Sequence, residues 1–236
     1  LGFLAPNETT LYLCFLCFFL QVILLLFGVK SRFQAFGVFF WLMAFQHRNN
    51  LTIDGGDTLA RLTAFYLFCM PCGERLSFDQ WWRAKKGHLP RFRSIWGLRL
   101  LQIQMTLLYA STAILKLQGA EWKDGTALMY VVQLHDVYGR FPLPGFLFES
   151  LVLLKGMTWI VVSAEILIPI GLWVKSTRVL TVCLAMAFHL AIDYSMNLFL
   201  FQWFMIVGLL SFCSFQTPPL KFLSSWGFHR DVSVKT

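Results

Sequence analysis

Charge is what this chain has least of. Charged residues make up 14% of its 236 positions, against about 25% in ordinary soluble domains. So few charges cannot cover the surface of a soluble domain of this length, and a soluble enzyme is excluded. A hydrophobic share of 57% and an aromatic share of 17% also exclude disorder, which requires polar, aromatic-poor sequence. Metal-ligand spacing is missing too, because the six cysteines and five histidines form no zinc-type cluster. No linker or internal repeat divides the chain, and the inverted repeats common in transporters are not visible. Residues 1–236 therefore read as a single domain.

Apolar runs are what the chain has instead. A span of roughly 30 Å takes about 20 apolar residues, so this length holds about six to eight. The expected fold is all-α, a polytopic transmembrane helix bundle of about seven spans. The spans fall near 9–28, 33–45, 57–71, 97–118, 149–174, 179–197 and 198–215. Residues 119–148 carry an apolar stretch too short to cross, which predicts a re-entrant or interfacial segment. The first residue is Leu1, with no methionine or basic stretch before the first apolar run. The chain thus reads as processed or cut from a longer protein, with one helix of the bundle lying upstream.

The net charge of +8 reads as topology and not as nucleic-acid binding. With Leu1 outside and the spans alternating, the inner turns and tail hold 14 of the 20 lysines and arginines. This matches the tendency of basic residues to stay on the cytoplasmic side. The basic, tryptophan-bearing loop from Arg75 to Arg99 reads as contact with anionic headgroups.

Polar residues gather on the opposite, outer half. HRNNLTIDGGD (47–57) joins spans two and three there and includes Arg48 and Asp57. Lys116 closes span four, followed by Glu121, Trp122, Lys123 and Asp124, and Asp193 and Asn197 close span six. One-sided clustering of this kind is what an embedded site needs, although outer loops are polar in any case. Gln102, Tyr109 and Lys116 are seven apart and share one helical stripe, drifting about 20° per step. A desolvated lysine can be a neutral amine and a general base; a lysine at a span end can also simply snorkel. Glu165 lies inside span five, where an acid is costly and functional by default, or bonds carbonyls freed by Pro169. His189 and Asp193 are one turn apart and can touch, either as a base with its orienting partner or as glue between helices. Gly55, Gly56 and Asp57 suit a helix start with Asp57 as its cap, and Asp57 can pair with Arg61 four residues on. Cys69-Met-Pro-Cys72 has redox spacing, yet falls at the inner end, where thiols stay reduced. Asn7 and Asn50 begin glycosylation sequons.

In order, the segments HRNNLTIDGGDTLARLTAFYLFCMPCGERLSFD, LRLLQIQMTLLYASTAILKLQGAEWKDGTAL, EILIPI and FHLAIDYSMNLFLFQWFMIV resemble the HTTM domain. That is the horizontally transferred transmembrane domain related to vitamin K-dependent gamma-carboxylase. The resemblance covers about residues 30–215. It implies Lys116, within ILKLQGAEW, as the base acting on a hydroquinone, with His189 and Glu165 at matching positions. The carboxylase has a lysine pair where this chain has Leu115 then Lys116. The histidine that the carboxylase carries before the corresponding segment has no match near Glu74 to Asp79, and no large extramembrane domain follows Phe215. Two functions stay open. One is an enzyme with Lys116, His189 and Asp193 as catalytic residues and Glu165, Gln102, Tyr109, Asp57, Arg48 and Trp122 around the substrate. Reduced vitamin K or another quinol would be its cofactor. The other is a non-enzymatic module binding a lipid or a partner protein. The expected location is multi-pass in a bacterial inner membrane with the site outside, in contact with membrane lipids and with no nucleic-acid partner; the sequence does not give an oligomeric state.

Overall fold

The computed structural model describes residues 7–48, 53–74, 76–87 and 95–213. The sequon at Asn50, Arg75, residues 88–94 of the basic loop and the basic tail lie outside these. The described residues fold into helices joined by turns, without strands. In chain order they are α1 (Glu8–Leu26), α2 (Ser31–Arg48), α3 (Gly55–Cys69), α4 (Phe78–Lys85), α5 (Trp96–Gln118), α6 (Ala120–Lys123), α7 (Ala127–Gln133), α8 (His135–Tyr138), α9 (Phe146–Glu149), α10 (Leu151–Trp173), α11 (Arg178–Ser195) and α12 (Phe201–Leu210).

The seven longer helices other than α4 pack in alternating directions. Gly28, in the left-handed region at φ +70°, turns α1 into α2. The start of α5 meets the end of α3, where Gly97 lies against the backbone of Cys69 and Met70. α5 and α10 run antiparallel, since Trp173 Nε1 donates to Thr106 Oγ1 at one end (2.8 Å) and Lys116 meets Glu165 toward the other. α12 starts beside Gly55 and Gly56 and ends where Gln102 Nε2 donates to the Ser211 carbonyl (2.7 Å). Lys30, Arg32, Arg83, Lys85, Lys86, Arg99, Lys175 and Arg178 consequently collect at one end of the bundle, called here the basic end.

Burial is inverted relative to a soluble domain. Tyr12, Leu16, Phe19, Leu115, Ile160, Leu167 and Leu184 are among many large apolar side chains that stay exposed, while Gln102, Glu165, His189, Asp193 and Gln202 are buried. An apolar exterior of this extent precipitates a protein in water and suits one in lipid. α1, α5, α10 and α11 are long and apolar enough to cross a membrane; the 19 residues of α1 span about 28 Å at 1.5 Å each. The expected seven spans also counted α2, α3 and α12. α2 carries Arg32, Gln34, Gln46 and Arg48, α3 has 15 residues, and α12 has only ten, so four spans are supported by length and hydropathy.

The expected re-entrant stretch is four short helices, α6 to α9, with no continuous apolar rod among them. α7 leans on α10, where the Leu128 N–H reaches Thr158 Oγ1 (3.3 Å). The basic loop holds a further helix, α4, which the apolar runs did not signal because it is amphipathic and eight residues long. Ser77 caps it, and the N–H groups of Phe78 and Asp79 donate to the carbonyls of Phe27 and Gly28. The turn between α1 and α2 thereby holds α4 in place.

Candidate functional site

Inside the bundle, away from the basic end, four helices bring polar side chains together. Lys116, in the last turn of α5, donates through Nζ to Glu165 Oε1 of α10 at 2.6 Å. Its ammonium also lies 4.9 Å from the Trp122 ring centroid, a cation–π arrangement that holds the charge without adding a second anion. Glu165 Oε2 is buried and has no partner. A carboxylate oxygen left bare in this way is costly. Pro169, which has no N–H, sits four residues on in the same helix and leaves the Glu165 carbonyl without its usual helical donor.

About 10 Å down the helix axis from Lys116, Tyr109 reaches His189 of α11, its hydroxyl 2.6 Å from Nε2. The other ring nitrogen, Nδ1, meets Gln202 Oε1 of α12. An amide oxygen only accepts, so Nδ1 carries the proton and Nε2 accepts from the tyrosine hydroxyl. All three side chains are nearly sealed, at 1%, 3% and 1% exposure for Tyr109, His189 and Gln202. Gln202 Nε2 is a second buried group without a partner.

The expected contact between His189 and Asp193 does not form. Both nitrogens of His189 are engaged elsewhere, and Asp193 Oδ2 accepts from Arg140 at 2.6 Å. Arg140 spreads its fork to Asn197 Oδ1 as well (3.3 Å). The segment bearing Arg140 is laced to the end of α11. Phe141 N–H donates to the Tyr194 carbonyl, Asn197 N–H to the Tyr138 carbonyl, and Tyr194 Oη to the Pro142 carbonyl. Asp193 Oδ1 is a third buried polar atom of this region without a partner.

Other candidate residues lie apart from this group. Gln102 shares the stripe of Tyr109 and Lys116 but sits at the basic end, between Arg99 Nη1 (2.9 Å) and the Ser211 carbonyl. Its distance from Lys116 is 14 residues of helix, about 21 Å. Asp57 is the third residue of α3 and not its cap. Asp54 caps the helix, accepting from the Asp57 N–H at 2.9 Å, while the Asp57 carboxylate accepts from the Asp54 N–H. This reciprocal capping box takes up the side chain that was expected to pair with Arg61. Arg48 closes α2 near the start of α3, where Gln46 Nε2 donates to the Asp57 carbonyl (2.8 Å). Cys69 and Cys72 are free thiols, like the other four cysteines. Burial raises the Cys72 thiol above its ordinary value, which disfavours the thiolate that redox chemistry uses. Among the described residues, no group of three or more His, Cys, Asp or Glu side chains is placed to hold a metal ion.

Arg140 and Gln202 escaped the sequence reading. Gln202 did leave a signal, as a lone amide in a helix that is otherwise apolar. Arg140 left none, since its partner is 53 positions away.

The profile of the HTTM domain family matches residues 2–216. Among curated proteins, the chain is 26% identical over 178 residues to the sporulation-delaying protein SdpB of Bacillus subtilis (strain 168). That alignment takes in 71% of this chain and 53% of SdpB. It is 27% identical over 115 residues to the uncharacterized protein YitO of the same bacterium, covering 48% of this chain and 37% of YitO. The chain therefore spans about half or less of the length of these relatives. No solved structure matches it.

Proposed function

This chain belongs to the HTTM domain family, and on that premise we propose that its polar interior binds a lipid-soluble hydroquinone and takes a proton from it. The observation that carries this reading is the ion pair of Lys116 and Glu165, in which Glu165 Oε2 is buried and unpartnered. A substrate hydroxyl is the complement of such an oxygen, because it donates. Transfer of its proton to the pair leaves a quinol anion beside the Lys116 ammonium, where low dielectric makes the attraction strong. The proton rests on Glu165 or, in the other tautomer of the pair, moves by way of the Lys116 amine; in either case Lys116 is needed. Tyr109, His189 and Gln202 form a chain that fixes the imidazole tautomer, and the unpartnered Gln202 amide nitrogen is the group of that chain with a hydrogen left to donate to a second substrate oxygen. Asp193, held by Arg140, closes the outer mouth.

The proposal takes residues 1–236 as one domain of about seven passes, with the site toward the outer face of a bacterial inner membrane. The collection of lysines and arginines at the opposite end supports this orientation.

The test supplies reduced vitamin K and oxygen to the full chain in nanodiscs and quantifies epoxide by chromatography. Hydroquinone and O2 give epoxide and water, so no other reductant is required. We expect epoxide from the wild type and a loss of at least about 100-fold in Lys116→Ala and Glu165→Gln, the usual scale for removing a proton-transfer group. A folded wild type that forms no epoxide sinks the vitamin K reading.

A second reading has its own support. The pairs of Lys116 with Glu165 and of Arg140 with Asp193 each tie separate segments together, as polar glue does in membranes. The chain is then a non-enzymatic module binding a lipid or a partner protein. Lys116→Arg discriminates between the two. It preserves a structural pair but ends base function, because a guanidinium stays protonated.

A further inference from the structure

At the basic end, remote from Lys116, the turn between α1 and α2, the segment after α3 and helix α4 border an open cavity of about 670 Å³. Its lining includes Lys30, Ser31, Arg32, Phe33, Phe78 and Trp82. Two carboxylates also line it, Glu74 and Asp79, but both are engaged by donors of the protein. Asp79 accepts from the backbone N–H groups of Lys30 (2.9 Å) and Ser31 (3.1 Å), and Glu74 Oε1 accepts from Arg83. Arg83 is used up in turn by Glu74 and by the carbonyls of Gly73 and Asp79.

The Lys30 ammonium and the terminal nitrogens of Arg32 remain without a carboxylate partner; Arg32 Nε donates to the Phe68 carbonyl (3.3 Å) and its guanidinium lies over the Phe68 ring. Between these two cations lies Ser31. It is 2% exposed, and its hydroxyl is buried without a partner. The missing side chain of Gly73 leaves room beside that hydroxyl, since a Cβ there would come within 2.8 Å of Ser31 Oγ and 3.3 Å of Asp79 Oδ2. Two cations without a carboxylate partner and an unsatisfied hydroxyl answer to a phosphate group, which offers charge and acceptors together. The remaining walls are apolar, with Phe33, Phe78 and Trp82 beside Val29 and Pro71, and the apolar end of α1, with Leu26 and Phe27 exposed, lies alongside. Trp81 and Trp82 of α4 carry Lys85 and Lys86 over their rings, as expected of a helix lying at the headgroup level.

We propose that this cavity is a binding site for an anionic phospholipid, with the lipid phosphate held by Lys30, Ser31 and Arg32 and the acyl chains leaving past Phe33 and the end of α1. The site stands independently of the quinol reading.

The experiment uses the full chain in lipid-free detergent micelles. Dioleoylphosphatidylglycerol, dioleoylphosphatidylcholine and inorganic phosphate are titrated separately, and bound molecules are counted by native mass spectrometry. We expect one phosphatidylglycerol to be retained in preference to phosphatidylcholine. Lys30→Gln with Arg32→Gln should weaken it by about tenfold or more, since hydrogen bonds to charged groups contribute on that scale. Ser31→Ala and Gly73→Ala, which are gentler on folding, should each weaken it severalfold, and Lys85→Gln with Lys86→Gln should leave it bound. Circular dichroism and the melting temperature check that each variant is folded. Equal retention of phosphatidylcholine, or retention unchanged in the folded Lys30/Arg32, Ser31 and Gly73 variants, overturns the site. So does equal loss in the Lys85/Lys86 variant, which would mark diffuse attraction to headgroups. Displacement of the lipid by inorganic phosphate at equal concentration overturns the lipid as the source of the phosphate.

Discussion

The side chains that define the interior are few, and each has its partner on another helix or, for Asp193, on the segment before Pro142. Lys116 and Glu165 illustrate the energetics. Removing one member strands a poorly solvated charge, at a cost of about 3 kcal/mol or more, whereas removing both costs less than the sum. We expect Lys116→Met and Glu165→Gln each to lower the melting temperature of the protein in detergent. The double variant should show a coupling of roughly 1–3 kcal/mol, and additive effects would refute a direct interaction. Arg140 makes a related prediction. Its planar fork reaches Asp193 and Asn197 together, which a lysine cannot do. Arg140→Lys should therefore loosen the segment before Pro142, read as faster hydrogen exchange at Phe141 and Asn197. Buried polar positions were readable in the sequence where a polar group interrupts an apolar run, as at Glu165 and His189. It was not readable where identity depends on a distant partner, so the contact assigned to His189 and Asp193 was in fact divided among Tyr109, Gln202 and Arg140.

Helices were easier to anticipate than their ends. The long apolar helices α1, α5, α10 and α11 fall within two or three residues of their expected limits, because apolar length reports directly on a span. α3 begins at Gly55, two residues earlier than expected, since its cap is Asp54 and the DGGD run offers two acids for one role. α4 was missed because amphipathic helices at an interface carry no long apolar run. Contact between helices depends on small residues at particular heights. Gly97 is one, with a Cβ there reaching 2.8 Å from the Cys69 carbonyl carbon and the Met70 nitrogen. Gly97→Val should force α3 and α5 apart and cost about 1–3 kcal/mol, the range for overpacking, read as a fall in melting temperature. An unchanged melting temperature would mean that this end of the bundle yields freely.

For the whole molecule, the distribution of charge is what the proposed orientation rests on. Lysines and arginines crowd one end, and the orphaned polar atoms of Glu165, Asp193 and Gln202 lie away from it. A cysteine at Gly87 and one at Gly139, each in a background without the native cysteines, should therefore label from opposite sides of the membrane with an impermeant maleimide. Gly139→Cys is expected to react in intact cells and Gly87→Cys only after permeabilisation. Labelling of both from one side would reverse or break the alternation of helix directions.

Helix α1 contributes no buried residue and leans chiefly on α2, where Phe15 stacks on Phe45 at 4.4 Å. Its hold on the rest is thus a seam along one flank, in contrast to α5, which is gripped by α3, α10 and α12. A tether pulling on the amino-terminal end would meet that seam before any other, and α1 should tear away as an early, low-force step while the remaining helices stay assembled.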